Sequence, residues 1–322
     1  MTELALSGLR ADNPLAFLAA LGTLRAAAAA FDRSTVRMRW QISSGAWTPA
    51  LCLTAARGQA AVESLDEDEL VARLHDWMSN SSGQRAFAIA DDLTLSPQAF
   101  RAVSASAVAG ATPRDRAFAD FIAAFGCDAV ELRENGKASG KIADTAFRTM
   151  SGAGHQHFLG FMRTLATDVG PGHLRRALFA PWRYDDPLES HSMRWDPADD
   201  VRYALRWRDA SGYPERKRSG TMWGANRLAI EALPLLPTMP TEQGGLATVG
   251  FSISKAEGAV WTWPVWSGSC TVETVRSMLS LGELQRARPS RATLARMGIR
   301  EVFRCHRIRQ GKYRNLTPAQ AV

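Results

Sequence analysis

The sequence predicts an α+β fold, with a helix-rich N-terminal part and a Trp-rich C-terminal part of mixed strands and helices that ends in a basic hairpin. Three observations predict it. Between residues 65 and 180, apolar residues recur at helical spacing behind Ser or Thr caps or acids in the first turn. After Pro181 the pattern changes: seven of the ten tryptophans fall between Trp182 and Trp266, among short alternating segments broken by Pro, Gly and Asp. From Gly282 onward, ten Arg or Lys side chains face two acids, Glu283 and Glu301. The composition shift divides the chain into 1–180 and 181–322, although 322 residues also suit one large domain.

Element by element, "LALSGL" (4–9) alternates enough for a strand. In "RADNPLAFLAALGTLRAAAAAF", Asn13 is a helix cap and Pro14 suits the first helical position, where its missing N–H costs nothing. Leu15, Leu18, Leu21 and Leu24 then form an apolar stripe. "TVRMRWQI" (35–42) reads as a strand. "SLDEDELVARLHDWM", "SPQAFRAVSASAV", "TPRDRAFADFIAAFG" and "HQHFLGFMRTLATDVG" read as helices, and "LRENGKASGK" (132–141) as a polar loop. "VRYALRW" (201–207), "LATVGFSI" (246–253) and "AVWTWPVW" (259–266) read as strands. "GANRLAIEALPLLP" is a helix stopped by Pro234 and Pro237, and "TVETVRSMLSLGEL" and "SRATLARMG" are two more. The ending "REVFRCHRIRQGKYRNL" reads as two strands joined by a turn at Gln310-Gly311.

Hydrophobic content of 46% and charged content of 22% are those of a globular protein with a core. The longest apolar stretch, from Pro14 to Phe31, is interrupted by Arg25, so no membrane span is expected. No basic leader precedes an apolar run at the N-terminus, so no secretory signal is expected. Cys52, Cys127, Cys270 and Cys305 form no C-x-x-C pair, which argues against structural zinc and a disulfide framework. The expected location is the cytoplasm.

The search for catalytic chemistry is mostly negative, and no cofactor is expected. Neither G-x-x-x-x-G-K-[ST] nor G-x-G-x-x-G occurs, nor G-x-S-x-G, nor H-E-x-x-H. His75-Asp76 matches the dipeptide of HD hydrolases, but no histidine precedes it. "YDDPLESHSMRWDPADD" (184–200) offers Asp185, Asp186, Glu189, His191, Asp196, Asp199 and Asp200 as oxygen and nitrogen donors for a divalent metal. Its Asp-Pro pairs equally suit turns and caps.

Charge is the stronger signal. The last 41 residues carry a net +8 and the rest of the chain −1, for a total of +7. Only five of the 39 basic residues are Lys; a compositional bias toward Arg explains that preference but not its segregation. Segregated positive charge points to an anionic partner, nucleic acid before membrane. Along an extended strand, alternate side chains stand about 6–7 Å apart, near the phosphate spacing of a nucleic-acid strand. Arg304, Arg307, Arg309, Lys312 and Arg314 are therefore candidate phosphate ligands, with Cys305, Arg307 and Arg309 forming the mostly basic face. A second basic run, Arg216, Lys217 and Arg218, lies between Tyr213 and Trp223, with Asn226 placed to cap a helix or touch a base edge.

"GLRADNPLAFLAALGTLR" resembles the opening of subunits of type I-G (formerly I-U) CRISPR systems, through Pro14, Leu15, Phe17, Leu18, Ala20, Leu21, Gly22, Leu24 and Arg25. "DPLESHSMRWDPADDVRYAL", "GANRLAIEALPLLP" and "VFRCHRIRQGKYRNLTPA" are similar to the Cas-eight-like large or accessory subunit of these surveillance (Cascade) complexes. Large subunits of this kind are often about twice as long as this chain, which leaves a shortened large subunit and a dedicated accessory subunit both open. The resemblance implies a non-enzymatic subunit of an antiviral, crRNA-guided effector complex. Its implied partners are crRNA, target DNA, other Cascade subunits and the helicase-nuclease. The residues alone leave two alternatives: a metal-dependent nuclease using the 185–200 carboxylates, and a basic assembly protein that binds an acidic partner.

Overall fold

The structure is a computed structural model and describes residues 2–54, 65–134, 136–150, 157–199, 220–254, 257–310 and 313–322. Helices make up 40% and strands 27% of an α+β architecture with several antiparallel sheets.

Helix α1 (Pro14–Ala30) runs through the centre. The Asn13 carboxamide oxygen accepts from Ala16 N and Pro14 occupies the first turn, so the sequence signal for the start holds. The four-leucine stripe understates the burial. Fourteen residues of α1 are buried, on every side, as expected of a helix in the middle of a core rather than on its surface. One neighbour is α7 (Trp223–Ile230), which approaches so closely that a Cβ on Gly22 would lie 1.7 Å from Leu228 O. At the end of α1, buried Arg25 pairs with Glu231, which also holds Arg227. Burial pulls the Arg25 pKa below its ordinary value, against the pull of Glu231.

Strands β1 (Thr2–Ala5), β2 (Val36–Ser43) and β3 (Ala46–Leu53) form a sheet in the order β1-β3-β2. Ser44 and Gly45, with φ of 50° and 78°, join β2 to β3. Positive φ at both central residues is the geometry of a two-residue hairpin loop. Helices α2 (Glu67–Asn80), α3 (Pro97–Ala109), α4 (Ala117–Phe125) and α5 (Phe158–Asp168) match their expected positions, and α6 (Pro171–Phe179) is added. The expected polar loop 132–141 is instead part of a hairpin, β4 (Gly126–Glu134) with β5 (Lys137–Asp144). Its outer half is mostly exposed, so no alternating apolar face announces it.

The second sheet has the order β11 (Tyr313–Leu316), β10 (Ile299–Gln310), β9 (Gly258–Trp266), β8 (Phe251–Ser254), with β12 (Gln320–Ala321) also pairing with β10. The expected strand 246–253 is divided into β7 (Leu246–Thr248) and β8 (Phe251–Ser254), interrupted at Gly250 with φ 83°. β7 pairs with β6 (Thr238–Pro240), and β8 with β9 (Gly258–Trp266). Pro264 is tolerated in β9 because the partner β8 has ended by Trp261. β10 (Ile299–Gln310) and β11 (Tyr313–Leu316) close the sheet. Helix α8 (Val272–Leu279) and the six-residue α9 (Arg291–Arg296) precede them, capped by Thr271 and Ser290. The expected strand 201–207 lies outside the described residues.

Five tryptophans are core. Trp261, Trp263, Trp266, Trp195 and Trp40 are fully buried, and the Phe17 ring lies 5.7 Å from Trp40 and 5.5 Å from Trp263. The Trp263, Trp266 and Trp195 N–H groups donate to the carbonyls of Ala11, Met38 and Phe147, so no buried indole among these three is left unsatisfied. One continuous cluster of buried residues runs from Leu6 to Leu316 and crosses residue 180.

Candidate nucleic-acid interface

The basic hairpin exists. β10 and β11 pair antiparallel in the register Arg307↔Leu316, Ile308↔Asn315, Arg309↔Arg314 and Gln310↔Tyr313. Gln310 is thus a strand residue, and the connection begins one position later than the sequence indicates.

The faces of β10 are not as expected. Phe303, Cys305 and Arg307 stand across from Trp263, Trp261 and Ala259 of β9, on the side that packs into the aromatic core. Cys305 is fully buried, and burial pushes its thiol far above the ordinary range. Because a strand alternates strictly, seating Phe303 and Cys305 in the core turns Arg307 inward with them. Its Nη2 donates to Arg148 O at 2.8 Å. Burial, with the nearby charges of Arg314 and Arg148, lowers the Arg307 pKa to about 10; Asp144 opposes this. On the face expected to meet phosphates in a row, Cys305 and Arg307 are therefore directed at the protein.

Arg304, on the other face, is also committed. Its guanidinium donates to Thr262 Oγ1 (3.1 Å) and to the carbonyl oxygens of Ala287 (2.9 Å), Arg286 (2.6 Å) and Leu284 (3.5 Å). It is 9% exposed and acts as a bracket for the turn around Gly282–Gln285 and the loop that follows. Asn226 corrects a second expectation. It is 0% exposed, accepts from Met193 N at 2.9 Å and donates to Thr221 Oγ1 and Met222 O. A base edge cannot reach it. Trp223 stacks with the rings of His191 (centroids 3.8 Å) and His173 (5.1 Å). Arg314 is half-buried, and its backbone N–H donates to Thr149 O. Lys312, Arg216, Lys217 and Arg218 lie outside the described residues, as does the side chain of Arg309.

No protein-family model matches the chain, and no curated protein matches it. Among the described residues, no helix is long and apolar enough to cross a membrane.

The carboxylate segment is used by the fold. Asp186 is buried, accepts from Arg176 at 2.7 Å and from Trp223 N at 3.0 Å, and so caps α7. Asp199 accepts from Ser192 Oγ, Asp196 Oδ1 from Ala198 N, and His191 Nε2 lies 2.8 Å from Asp168. Among the described residues, no group of three or more His, Cys, Asp and Glu side chains is placed to hold a metal ion. Asp200 lies outside them.

The structure instead exposes arginines outside the expected strand face. Arg286, Arg288, Arg291, Arg296 and Arg300 are all exposed, on the loop held by Arg304, on α9 and at the start of β10. Arg286 pairs with Glu283 at 3.1 Å, and Arg291 approaches Glu301 at 3.8 Å. Arg288, Arg296 and Arg300 have no carboxylate partner among the described residues; Arg300 donates only to the Ser267 hydroxyl. Exposed arginines earlier in the chain are often neutralised, as in Arg10–Asp12, Arg39–Glu3, Arg101–Asp128 and Arg116–Asp120. A cleft of about 150 Å³ between α9 and β10 carries Arg291 and Arg300 on its walls, over Leu294, Ile299 and Val302. The signal for these residues was present in the +8 segment as a whole, but only residues 300–316 of it read as strands.

Proposed function

We propose that the chain is a non-catalytic, nucleic-acid-binding subunit of a crRNA-guided CRISPR effector complex of type I-G, contacting crRNA or target DNA alongside other Cascade subunits and the helicase-nuclease. The contact surface is the exposed segment of Arg288, Arg291, Arg296 and Arg300. One observation carries the reading: within the segment that holds the charge excess, Arg288, Arg296 and Arg300 are exposed without a carboxylate partner among the described residues, and Arg291 only approaches Glu301 at 3.8 Å. The exposed side chains of Arg288, Arg296 and Arg300 are hydrated, so exchanging their counter-ions for phosphates releases ions without breaking an ion pair. Arg304 supports the surface from beneath by fixing the loop that presents Arg286 and Arg288. The resemblance of "GLRADNPLAFLAALGTLR" and of the C-terminal strip supplies the CRISPR part of the reading.

The test is binding of labelled single-stranded RNA and DNA across a salt series. Replacing Arg288, Arg296 and Arg300 together by Ala lowers the slope of log affinity against log salt by about 0.7 for each single-strand phosphate that is no longer neutralised. Unchanged affinity and slope in the triple variant remove this surface from the reading. Native purification that yields the chain free of RNA and of other subunits removes the complex.

A further inference from the structure

The cleft between α9 and the start of β10 lies at an open strand edge. β12 pairs with β10 at Phe303↔Ala321 and Arg304↔Gln320, and Val322 N continues this line by donating to Val302 O at 3.0 Å. Beyond that point, no strand among the described residues pairs with Ile299, Arg300 or Glu301 on this side. On the other side β9 pairs with Ile299 and Glu301 and skips Arg300. The Val302 N–H donates to the carboxylate of its own neighbour, Glu301, at 3.3 Å. An unpaired edge of this kind accepts an added strand from another chain.

The cleft beside the edge sets what such a strand must carry. Its volume is about 150 Å³, below the roughly 300 Å³ at which small-molecule sites begin, and suits a single side chain. Leu294, Ile299 and Val302 form its apolar floor, and Ala295 and Val322 add to its lining. None of the lining residues is aromatic, so the cleft offers no stacking platform to a base. The two guanidinium groups at its rim differ. Arg291 donates to Val322 O at 3.2 Å and approaches Glu301 at 3.8 Å. Exposed Arg300 donates only to the Ser267 hydroxyl and has no carboxylate partner among the described residues. An aliphatic side chain matches the floor and a carboxylate matches Arg300. Both can come from one extended segment if they stand two positions apart, the spacing at which strand side chains share a face. We propose that this edge and cleft dock an extended segment of a partner protein, in which an aliphatic residue and an Asp or Glu stand two positions apart. The proposal goes beyond nucleic-acid binding and does not rest on it: Arg288 and Arg296 lie outside the lining.

The experiment selects a displayed library of random linear peptides on the full chain and synthesises the enriched sequences. They are expected to share the aliphatic-x-acid spacing, to bind saturably by fluorescence anisotropy, and to slow hydrogen exchange of residues 299–302 in the wild type. Ala295 is exposed on a helix that accepts Glu, and Ala295→Glu puts bulk and negative charge into the cleft. It is expected to weaken peptide binding about tenfold or more. Arg300→Ala is expected to weaken it up to about fivefold, as for a partly exposed ion pair, and Arg288→Ala to leave it unchanged. Circular dichroism checks that each variant is folded, and hydrogen exchange of the wild type locates the peptide even if Ala295→Glu is not. A selection that enriches no such spacing overturns the proposal, as does protection that spares residues 299–302. So does a folded Ala295→Glu that binds the peptide as well as wild type. A single-stranded oligonucleotide whose binding falls as far as the peptide's in Ala295→Glu assigns the cleft to nucleic acid and also overturns it. The salt-slope test reads oligonucleotide binding alone and stands or falls separately.

Discussion

Arg304 and Arg307 sit three residues apart on one strand, and both guanidinium groups are turned into the protein. Arg304 serves three carbonyl oxygens and one hydroxyl. Hydrogen bonds from a charged donor contribute about 1.5–3 kcal/mol each, and buried acceptors left behind add their own cost. Arg304→Ala is therefore expected to lower unfolding stability by about 2–4 kcal/mol in urea titrations, since part of the loss is recovered by water. If the variant is as stable as wild type yet loses affinity for nucleic acid, Arg304 binds phosphate directly and the bracket role is wrong. A second outcome follows from burial of the thiols. Burial raises the pKa values of Cys52, Cys270 and Cys305, with Cys52 and Cys305 buried and Cys127 and Cys270 partly accessible. At pH 8 a thiol reagent should modify Cys127 first and reach Cys305 only when the chain unfolds. Fast labelling of Cys305, read by mass spectrometry of peptides, would mean that β10 opens readily. The sequence located the charge of these residues but not what lies beneath each of them. Alternation alone cannot tell which face of a strand is covered when Arg304 and Arg307 occupy opposite faces and both are covered.

Capping chemistry was the most legible part of the elements. Asn13, Ser96 and the Pro residues after them mark the starts of α1 and α3, where the side-chain oxygen satisfies a free N–H. The β4–β5 hairpin was illegible because its outer residues are polar and exposed, which in a sequence looks like a loop. The β2–β3 turn left a trace in Ser44-Gly45, since φ above zero at both positions favours Gly at the second. The close approach of α1 and α7 left only a single Gly22 inside a helix, and its cause became visible in the packing. Gly22→Ala places a methyl against the Leu228 carbonyl and must force two fully packed helices apart. The expected cost is about 3 kcal/mol or more, measured as a shift in the urea midpoint. Gly45→Ala meets no atom within 4 Å and carries only backbone strain, so about 1–2 kcal/mol is expected. An equal loss at the two sites would show that α1 and α7 are not in contact in solution.

For the molecule as a whole, composition and packing make different divisions. The Trp-rich change after residue 180 is real, but Trp195, Trp261, Trp263 and Trp266 are spent on a core shared with the first half. Phe17 of α1 lies against Trp261 and Trp263, Met38 of β2 bridges to Cys270, and α7 lies along α1. Separating residues 1–180 from 181–322 would expose α1, which is buried on all sides. Neither fragment is then expected to fold alone. Each should bind a hydrophobic dye and melt without a cooperative transition, as expected when specific packing is lost. Co-expressed, they should purify as one complex, because the faces that α1, Trp40, Trp261 and Trp263 present to one another remain complementary. A cooperative urea transition in the isolated 1–180 fragment would sink this expectation and establish residue 180 as a domain boundary. It would also detach the basic C-terminal surface from α1, making the 181–322 fragment by itself the minimal unit in which to measure the salt slope.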